Sequence, residues 1–206
     1  MNKKAYKILV IFFFIFLFVS LFTPERVFCK QKKLFPLKVG HEFVFNVIDN
    51  AENSWEYKIN VVGTAVKSLG AKKRLYFKIK SLGYQSPDDV QKGIFVRSTV
   101  NAVYIYEGNG KEMLVFKNAP VGTTWTYQDS DGRTMERTIE AKETVIVPAG
   151  TFEGCLKFLQ KCISCEPPVE FTRQWIKPGF GMVKEIDYHR GENPPRIKEL
   201  KSWKRK

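Results

Sequence analysis

The sequence predicts an antiparallel all-β domain, a curved sheet or open barrel, behind a short apolar N-terminal helix. From Gly40 to Trp203, apolar and polar residues alternate with a period of two, which is typical of strands that bury one face. Gly, Pro, Asn and Asp interrupt these runs at short intervals, as turns between strands require. No stretch after the N-terminal segment has a three-turn apolar stripe of helical period.

Residues 1–29 are typical of an export signal. A basic head precedes an apolar run over residues 8–22, which is shorter than the ~20 residues that cross a bilayer core comfortably. We therefore expect the remaining chain to work outside the cytoplasm, in the periplasm or another extracytoplasmic space. Three outcomes stay open for the segment: cleavage before Lys30, lipidation of Cys29, or retention of residues 8–22 as a membrane anchor.

The chain after residue 29 has the length of one domain with its own core. Residues 1–29 hold four basic residues and one acidic residue, so the formal net charge of +13 leaves +10 for residues 30–206. Outside the cytoplasm, this charge favours anionic partners such as lipid headgroups or envelope polysaccharides. A lysine-rich composition that serves only solubility explains it equally well. No nucleic-acid-binding motif is visible, and we expect no such partner.

The individual strands follow from alternation and turn residues. The polar spacer at residues 50–53 suits a hairpin loop, and Gly108-Asn109-Gly110 is a strong tight-turn signal. In chain order, strands are predicted over residues 41–49, 54–62, 74–82, 93–100, 102–107, 113–116, 125–128, 133–141, 143–147, 155–161, 169–176, 182–188 and 196–203.

Two segments share the pattern V-G-x-x-aromatic-x-aromatic, at residues 39–45 and 121–127, each with a proline just upstream. A turn, a strand and a Gly-led strand follow each of them. The pattern predicts two similar halves, residues 36–107 and 118–188. Meandering sheets also reuse such patterns without duplication, so both interpretations stay open.

Two later segments, residues 147–157 and 175–185, each run from a strand through a Pro/Gly corner into another strand. Gly150 is expected to adopt a positive φ, and Phe152 is expected to cover the apolar face of the sheet. The predicted structural corners are Gly40, Pro148, Gly150, Pro178, Gly179 and Gly181.

These corners, with Pro36-Leu37-Lys38-Val39-Gly40, resemble motifs of a group of bacterial envelope proteins of unknown function, some of them called TapB-like. The shared patterns are P-L-x-x-G-x-x-[WF], V-P-A-G-T-F and W-[YF]-x-P-G-x-G-x-V-K. The resemblance covers most of the chain after residue 29 and implies a fold similar to the open, curved barrel of periplasmic lipoprotein carriers. In this chain Phe43 stands in place of the more usual Trp, Ile176 replaces the aromatic residue, and a C-x-x-C is inserted.

Cys155, Cys162 and Cys165 form an odd set. The C-x-x-C at Cys162 and Cys165 suits a redox pair, half of a zinc site or a disulfide loop. The strand neighbours and following prolines disfavour a redox pair, and zinc would need a histidine as a further ligand. We favour one disulfide among the three cysteines, with one thiol left over and the pairing open.

Catalytic chemistry has little support in the sequence. Cys155 would need His41 or His189 as a base, and its place in a strand favours burial as a small apolar residue. Asp88 and Asp89 suit a solvated loop better than a calcium site. No phosphate-binding loop, H-E-x-x-H or G-x-S-x-G motif is present. We expect no enzyme, cofactor or metal.

A binding function is better supported. A curved sheet that encloses space lines it with the inward residues of its strands. The candidates for such a lining are aromatic: Phe43, Phe45, Tyr57, Phe77, Phe95, Tyr104, Tyr106, Trp125, Tyr127 and Trp175. The same residues suit a solid core, because interiors are close-packed. We predict a non-catalytic envelope protein that binds an apolar or amphipathic ligand such as a lipid. The alternative is an interaction protein that docks through a strand edge or a basic patch.

Overall fold

The structure, a computed structural model, describes residues 32–49, 53–82, 93–129, 131–167, 169–188 and 194–205. Lys32–Lys206 forms one compact unit. The predicted export segment lies outside the described residues, as do Asp88, Asp89 and His189. Within the described part of the chain, no helix is long and apolar enough to cross a membrane.

All twelve described elements are strands, and each pairs antiparallel with its neighbours, which confirms the all-β prediction. They are β1 Glu42–Ile48, β2 Ser54–Leu69, β3 Lys72–Leu82, β4 Ile94–Ser98, β5 Ala102–Gly108, β6 Lys111–Lys117, β7 Thr124–Gln128, β8 Thr134–Val147, β9 Gly150–Cys162, β10 Val169–Lys177, β11 Gly181–Asp187 and β12 Arg196–Lys204.

Several boundaries differ from the prediction: β2 continues to Leu69 rather than ending at residue 62, and β9 begins at Gly150 rather than at residue 155. The expected strands 133–141 and 143–147 form a single strand, β8, which pairs with β9 along its length. Register shifts between Ile139 and Ala141 and between Glu143 and Val145 mark β-bulges. A bulge inserts an extra residue and resets the period-two pattern, so a continuous strand resembles two strands in sequence.

The first and last strands of the chain pair with each other, and the sheet is open between β6 and β7, the two strands in the middle of the chain. The strand order is β6-β5-β4-β3-β2-β1-β12-β11-β10-β9-β8-β7, so the first and last strands pair and the seam of the nearly closed barrel lies between β6 and β7. Side chains connect the seam in place of a ladder. Trp125 Nε1 donates to the Leu114 carbonyl (3.3 Å), and Arg137 Nη1 donates to the Val115 carbonyl (2.7 Å).

Two clusters of buried residues fill the protein. The first cluster consists of Leu34, Val96, Val103, Val115, Phe116, Trp125, Ile139, Leu156, Phe158 and Ile176. The second cluster consists of Phe43, Phe45, Val145, Val147, Cys155, Trp175, Val183 and Leu200. The first cluster spans the seam, because Phe158 contacts both Phe116 (ring centroids 5.1 Å apart) and Trp125 (6.1 Å). Burial therefore holds together two edge strands that share no backbone ladder.

The corners at Gly40 and Gly122, in the two predicted halves, have the same geometry. Their φ angles are 88° and 89°, in a region open to glycine. Gly40 N donates to the Val61 carbonyl and Gly122 N to the Ile139 carbonyl, both at 2.8 Å. The nitrogens of Val61 and Ile139 each donate back to the residue after the glycine, at 2.9 and 3.0 Å. Descent of the halves from a duplication stays a prediction.

Candidate functional site

An apolar cavity of about 230 Å³ lies against β1–β6, β10 and β11. Most of its wall is aliphatic or aromatic, with two polar side chains, Gln174 and Glu185. The apolar wall consists of Phe35, Leu37, Phe43, Phe45, Ile59, Ile79, Ile94, Val96, Val103, Ile105, Val115, Phe116 and Met182, with Gly181 beside them.

A segment before β1, residues 32–40, closes one side of this cavity, and we call it the N-terminal strap. Leu34 N donates to the Thr99 carbonyl (3.0 Å) near the β4–β5 turn, and Gly179 N at the β10–β11 corner donates to the Leu34 carbonyl (3.2 Å). Leu34 is fully buried, and Phe35 forms part of the cavity wall. The strap thus connects two corners from opposite halves of the sheet.

Two of the aromatic residues predicted to line a cavity, Phe43 and Phe45, are on this wall. Phe77 is half-buried and pairs with Val96, a wall residue, but is not itself part of the wall. The other predicted residues lie elsewhere: Tyr57 and Trp175 pack in the second cluster, and Trp125 and Tyr127 in the first. These four residues pack within the core clusters, as the competing interpretation of a solid core predicted.

Phe95, Tyr104 and Tyr106 lie on the opposite face of the sheet, which corrects their prediction as lining residues. They alternate along β4 and β5 with Val96 and Ile105, which line the cavity, and adjacent strand residues point to opposite faces. The β2–β3 hairpin buries this outer face. The long β2–β3 hairpin bends at a bulge after Val61 and packs across β4–β6.

Contacts on this outer face show the covering. A Cβ built on Gly110, at the β5–β6 turn, would lie 3.5 Å from the Gly70 nitrogen at the β2–β3 turn. The Tyr76 ring, fully buried, lies 5.5 Å from the Tyr106 ring. Lys67 Nζ lies 3.8 Å from the Phe95 ring centroid. The hairpin therefore uses cation–π and aromatic contacts to bury a face that a simple barrel leaves exposed.

A partly buried ion pair lies within the outer-face contacts. Arg97 donates to Glu112 through Nε (2.6 Å) and Nη2 (2.8 Å), and the Tyr76 hydroxyl donates to the same carboxylate. Burial, together with Glu112, raises the pKa of Tyr76 to about 12. Tyr76 therefore remains a neutral donor at physiological pH.

The polar end of the cavity has a fixed set of hydrogen bonds. Gln174 Nε2 donates to Glu185, which is 7% exposed, and Lys198 Nζ donates to the other oxygen of that carboxylate. Burial lowers the pKa of Lys198, but the Glu185 charge and hydrogen bond outweigh it and raise that pKa overall. Gln174 Oε1 is buried and has no hydrogen-bond partner among the described residues.

Arg137 is a buried cation beside this site, at 4% exposure. Its guanidinium donates to Val115 and Gln160 and lies 4.5 Å from the Phe116 ring centroid. Within the described ranges, no carboxylate is at salt-bridge distance from it. Burial lowers its pKa from the ordinary value. Its bond to the Val115 carbonyl crosses the seam, whereas Gln160 lies on the adjacent strand β9, so its evident role is to join β6 to β8.

An aromatic patch formed by Phe152, Phe180 and Trp203 lies next to the cavity. Phe180 is 4.9 Å from the Phe152 ring and 5.2 Å from the Trp203 ring, and it also contacts the cavity residue Phe43 (5.9 Å). Trp203 is 40% exposed, and Arg205 lies 4.8 Å from the Phe180 ring centroid. The patch thus combines exposed aromatic surface with a cation.

The predicted corners position two of the three rings of the aromatic patch. Pro148 and Gly150 lie at the β8–β9 turn before Phe152, while Pro178 and Gly179 lie at the β10–β11 turn before Phe180. The φ angles of Gly150, Gly179 and Gly181 are 127°, 80° and 128°. Their positive values turn the chain sharply enough to bring the two aromatic rings together.

The cysteines and His41 offer little chemistry. Cys162 and Cys165 form a disulfide, and Cys155 is a buried free thiol that donates to the Phe152 carbonyl (3.2 Å). Burial raises the pKa of Cys155 to about 11, and burial with two nearby cations lowers the pKa of His41. Among the described residues, no group of three or more His, Cys, Asp and Glu side chains is arranged to hold a metal.

Sequence reasoning missed most of the wall. Its aliphatic residues, such as Val103 and Ile105, alternate with the aromatic residues that were chosen instead. The sequence did contain a signal for these aliphatic residues, because small branched side chains inside a curved sheet leave space that aromatic rings would fill. Gln174 and Glu185 carried no such signal, because they become neighbours only through the β10–β11 register.

Comparison with known proteins identifies the fold. No protein-family model and no curated protein matches the chain. A solved structure of a candidate exported protein with a YmcC-like fold, from Bacteroides fragilis NCTC 9343, is similar with a TM-score of 0.53 and 14% identity, covering 84% of this chain and 100% of that chain. The fold is YmcC-like.

A second solved structure is a candidate lipoprotein from Parabacteroides distasonis ATCC 8503, with a TM-score of 0.42 and 14% identity. The match covers 84% of this chain and 99% of that chain. At this level of identity the YmcC-like similarity concerns the fold alone, since one fold hosts many functions.

Proposed function

We propose that this chain is a non-catalytic, exported protein of the cell envelope that holds an apolar or amphipathic ligand, such as a lipid, in the cavity beside the N-terminal strap. The observation that supports binding most directly is the apolar cavity of about 230 Å³. The export signal that the sequence predicts at residues 1–29 supports the location. Membership of the TapB-like group is part of the same proposal.

The cavity is too large for an ordinary packing defect. Protein interiors are close-packed and contain few voids larger than a water molecule. An engineered apolar cavity of ~150 Å³ binds benzene, so a volume of about 230 Å³ has room for a medium-length alkyl chain. The wall contains two polar residues among many apolar ones, the usual composition of a site for an apolar ligand.

Native mass spectrometry of protein purified from its own envelope, with solvent extraction of the sample, tests this proposal. We expect a co-purifying lipid that Val103→Phe removes, because the larger ring fills the cavity. Val66→Phe is the matched control, since Val66 is 61% exposed. Tyr104→Phe is a second control on the outer face. Ligand-free protein, or a lipid that both Val→Phe variants retain, would overturn the proposal.

The aromatic patch supports a second candidate function, docking on an anionic lipid surface. Trp203 is exposed, and three cations lie near the patch. A Cβ built on Gly179 would lie 3.0 Å from Lys32 Cδ, and Arg205 lies 4.8 Å from the Phe180 ring centroid. The charges of Lys38 and Arg205 act on His41, whose ring lies 6.3 Å from the Phe43 ring. None of the three cations has a carboxylate at salt-bridge distance within the described ranges. Aromatic rings with cations suit a membrane interface. At the seam, Trp125 and Arg137 already bond to the carbonyls of Leu114 and Val115 in the edge strand β6, which favours the patch over that edge as the docking surface.

Co-sedimentation with vesicles tests this second candidate. We expect binding to phosphatidylglycerol vesicles that weakens with added salt, because exposed charges are screened over a Debye length of ~8–10 Å. Trp203→Ser should weaken it, while Val66→Ser should not. Equal binding to neutral vesicles, or equal loss in both variants, contradicts docking through the patch.

A further inference from the structure

The tips of two hairpins meet on the outer face of the sheet and form a basic surface, which we call the hairpin-tip surface. The β2–β3 turn lies against the β5–β6 turn, because a Cβ built on Gly110 would lie 3.5 Å from the Gly70 nitrogen. The cations of this surface come from both hairpins and comprise the exposed Lys72, Lys73 and Lys111 and the half-buried Lys67 and Arg74.

Few carboxylates balance this positive charge. Residues 67–74 include no acidic residue, and the β5–β6 hairpin has two, Glu107 and Glu112. Glu112 is already paired with Arg97 and accepts a hydrogen bond from Tyr76. In the part of the chain that the structure describes, none of the five cations has a carboxylate at salt-bridge distance. The hairpin-tip surface therefore has an excess of positive charge that the protein itself does not neutralise.

The strand β12 is also rich in lysine, and its charges are arranged differently. Its three lysines each have a carboxylate partner: Lys198 pairs with Glu185, Lys201 with Glu56 and Lys204 with Glu42. The excess of positive charge is therefore uneven over the protein, which is expected of a surface that meets an anionic partner.

The register of the β2–β3 hairpin brings two of these cations together. Lys67 and Arg74 are direct partners in the ladder. Like charges directly opposite each other on two strands are destabilising. Arg74 Nε is buried with no acceptor among the described residues, and Lys67 Nζ lies over the Phe95 ring rather than beside a carboxylate. A bound anion would reduce the repulsion between the two side chains.

The arrangement of the cations fits a flexible polymer better than a flat membrane. Adjacent residues on a strand point to opposite faces, so Lys72 and Lys73 project on the two sides of the hairpin. A bilayer surface meets only one side, whereas a flexible chain contacts both. Residues 67–74 and 108–111 also contain no aromatic residue, unlike the patch with Trp203, and aromatic residues are the usual anchors at a bilayer interface.

We infer that the hairpin-tip surface binds an acidic polysaccharide of the cell envelope, whose carboxylates pair with the lysines of both hairpins. The predicted export of the chain favours such a polymer over nucleic acid, which is also a polyanion. Each exposed ion pair contributes little, so the affinity comes from several pairs acting together. The inference goes beyond the proposed function and does not depend on a ligand in the cavity.

Calorimetric titration with polygalacturonate tests this inference, and dextran serves as the neutral polymer. The chain from Lys30 onward is used, because Lys32–Lys206 is one compact unit with all described strands and both clusters of buried residues. We expect polygalacturonate to bind at low salt and to bind more weakly as salt is added, because exposed charges are screened over a Debye length of ~8–10 Å. Dextran should not bind.

Charge-reversing variants assign the binding to the hairpin tips. Lys72→Glu combined with Lys73→Glu should weaken polygalacturonate binding about tenfold, since each reversal replaces an attraction with a repulsion. Lys33→Glu combined with Lys142→Glu is the matched control, because both lysines are exposed and the net charge changes by the same amount. Lys72→Glu alone and Lys73→Glu alone should each weaken binding about threefold, because the polymer contacts both sides of the hairpin. Circular dichroism verifies the fold of each variant.

Equal weakening in the two double variants would show that net charge alone attracts the polymer, which overturns the inference. Equal binding of dextran, no binding of polygalacturonate by the parent chain, or an effect of only one single reversal also overturns it. Phosphatidylglycerol vesicles test a membrane as the partner instead. Loss of vesicle binding in Lys72→Glu with Lys73→Glu, while polygalacturonate binding is retained, would assign the hairpin-tip surface to lipid and overturn the inference.

Discussion

The ring of Phe35 occupies the space where Gly181 would carry a side chain. A Cβ built on Gly181 would lie 2.9 Å from Cδ1 and 3.1 Å from Cε1 of Phe35. Real Cβ atoms do not approach so closely, so the strap can lie against the start of β11 only because residue 181 is glycine. Both residues belong to the cavity wall, so the position of the strap helps to determine the shape of the cavity.

Gly181→Ala should therefore destabilise the protein more than Gly150→Ala does. Both glycines have a φ near 127°, which is unfavourable for alanine, but a Cβ on Gly150 meets nothing within 4 Å. We expect a loss of about 1 kcal/mol for Gly150→Ala from backbone strain and ~2 kcal/mol for Gly181→Ala from strain plus the clash. Urea unfolding measures both losses.

Gly63→Ala is the control for these variants. Gly63 lies within β2, has no positive φ, and would place its Cβ in open space. Its free energy of unfolding should be equal to or above that of the parent chain. Equal stabilities for the Gly63, Gly150 and Gly181 variants would show that neither φ nor the Phe35 ring constrains these corners.

The strands were predictable because their determinants are local. The turn at Gly108-Asn109-Gly110 needs positive φ angles, which Asn and Gly tolerate, and Asn109 indeed has φ 49°. The alternation of apolar and polar residues then predicts each strand without any knowledge of the strands that pair with it. The extent of β8 was not predictable in the same way, because its bulges are set by the pairing with β9.

Tyr76 should make stability depend on alkaline pH. Its pKa is raised from the ordinary value of 10.0 to about 12, so the folded state favours the neutral phenol. That stabilisation is complete below pH ~10 and is lost as the pH rises through about 12. Tyr76→Phe should lose about 1 kcal/mol at pH 7 with the Glu112 hydrogen bond, and its stability should fall less between pH 10 and 12.

Tyr104→Phe controls for the other groups that titrate in this range, because Tyr104 lies on the same face but does not hydrogen-bond to Glu112 in the described structure. Urea unfolding at pH 7, 10 and 11.5 measures the difference. Parallel pH profiles for Tyr76→Phe and the parent chain would contradict the assignment.

The site was less predictable than the fold because alternation does not say which face of a strand is inside. Val103 and Tyr104 are both apolar enough for a core, and the choice between them depends on the β2–β3 hairpin, which covers the outer face. The bend of that hairpin follows from a bulge between Val61 and Gly63, and a glycine within a strand suggests a bulge without showing which face of the sheet the bent hairpin covers. Long-range packing therefore determines which residues line the cavity.

Protonation of His41 should lower the stability of the folded protein in mildly acidic solution. Burial, with the charges of Arg205 and Lys38, lowers its pKa below the ordinary value of 6.5, so folding disfavours the imidazolium. This stabilisation is present above pH ~6.5 and is lost as the pH falls through the folded-state pKa. His41→Gln should show a shallower loss of unfolding free energy between pH 7 and 5 than the parent chain. An identical slope would show that His41 titrates normally.

Arg137 should hold the seam of the barrel. It joins β8 to the Val115 carbonyl of β6, an edge strand that forms no ladder with β7, so Arg137→Met should release β6 before the rest of the sheet. We expect amide hydrogen exchange in Lys111–Lys117 to become about tenfold faster, the effect of a ~1.4 kcal/mol loss of local stability. Exchange in β2 should change little.

Arg133→Met is the matched control, because Arg133 pairs with Asp129 in the exposed β7–β8 turn and does not bridge the seam. It should leave exchange in β6 unchanged. A uniform acceleration of exchange over all strands in Arg137→Met would mean that the guanidinium only fills the core. Selective acceleration in β6 would show that side-chain donors at the seam take the place of the missing ladder, and that β6 is the first strand to open.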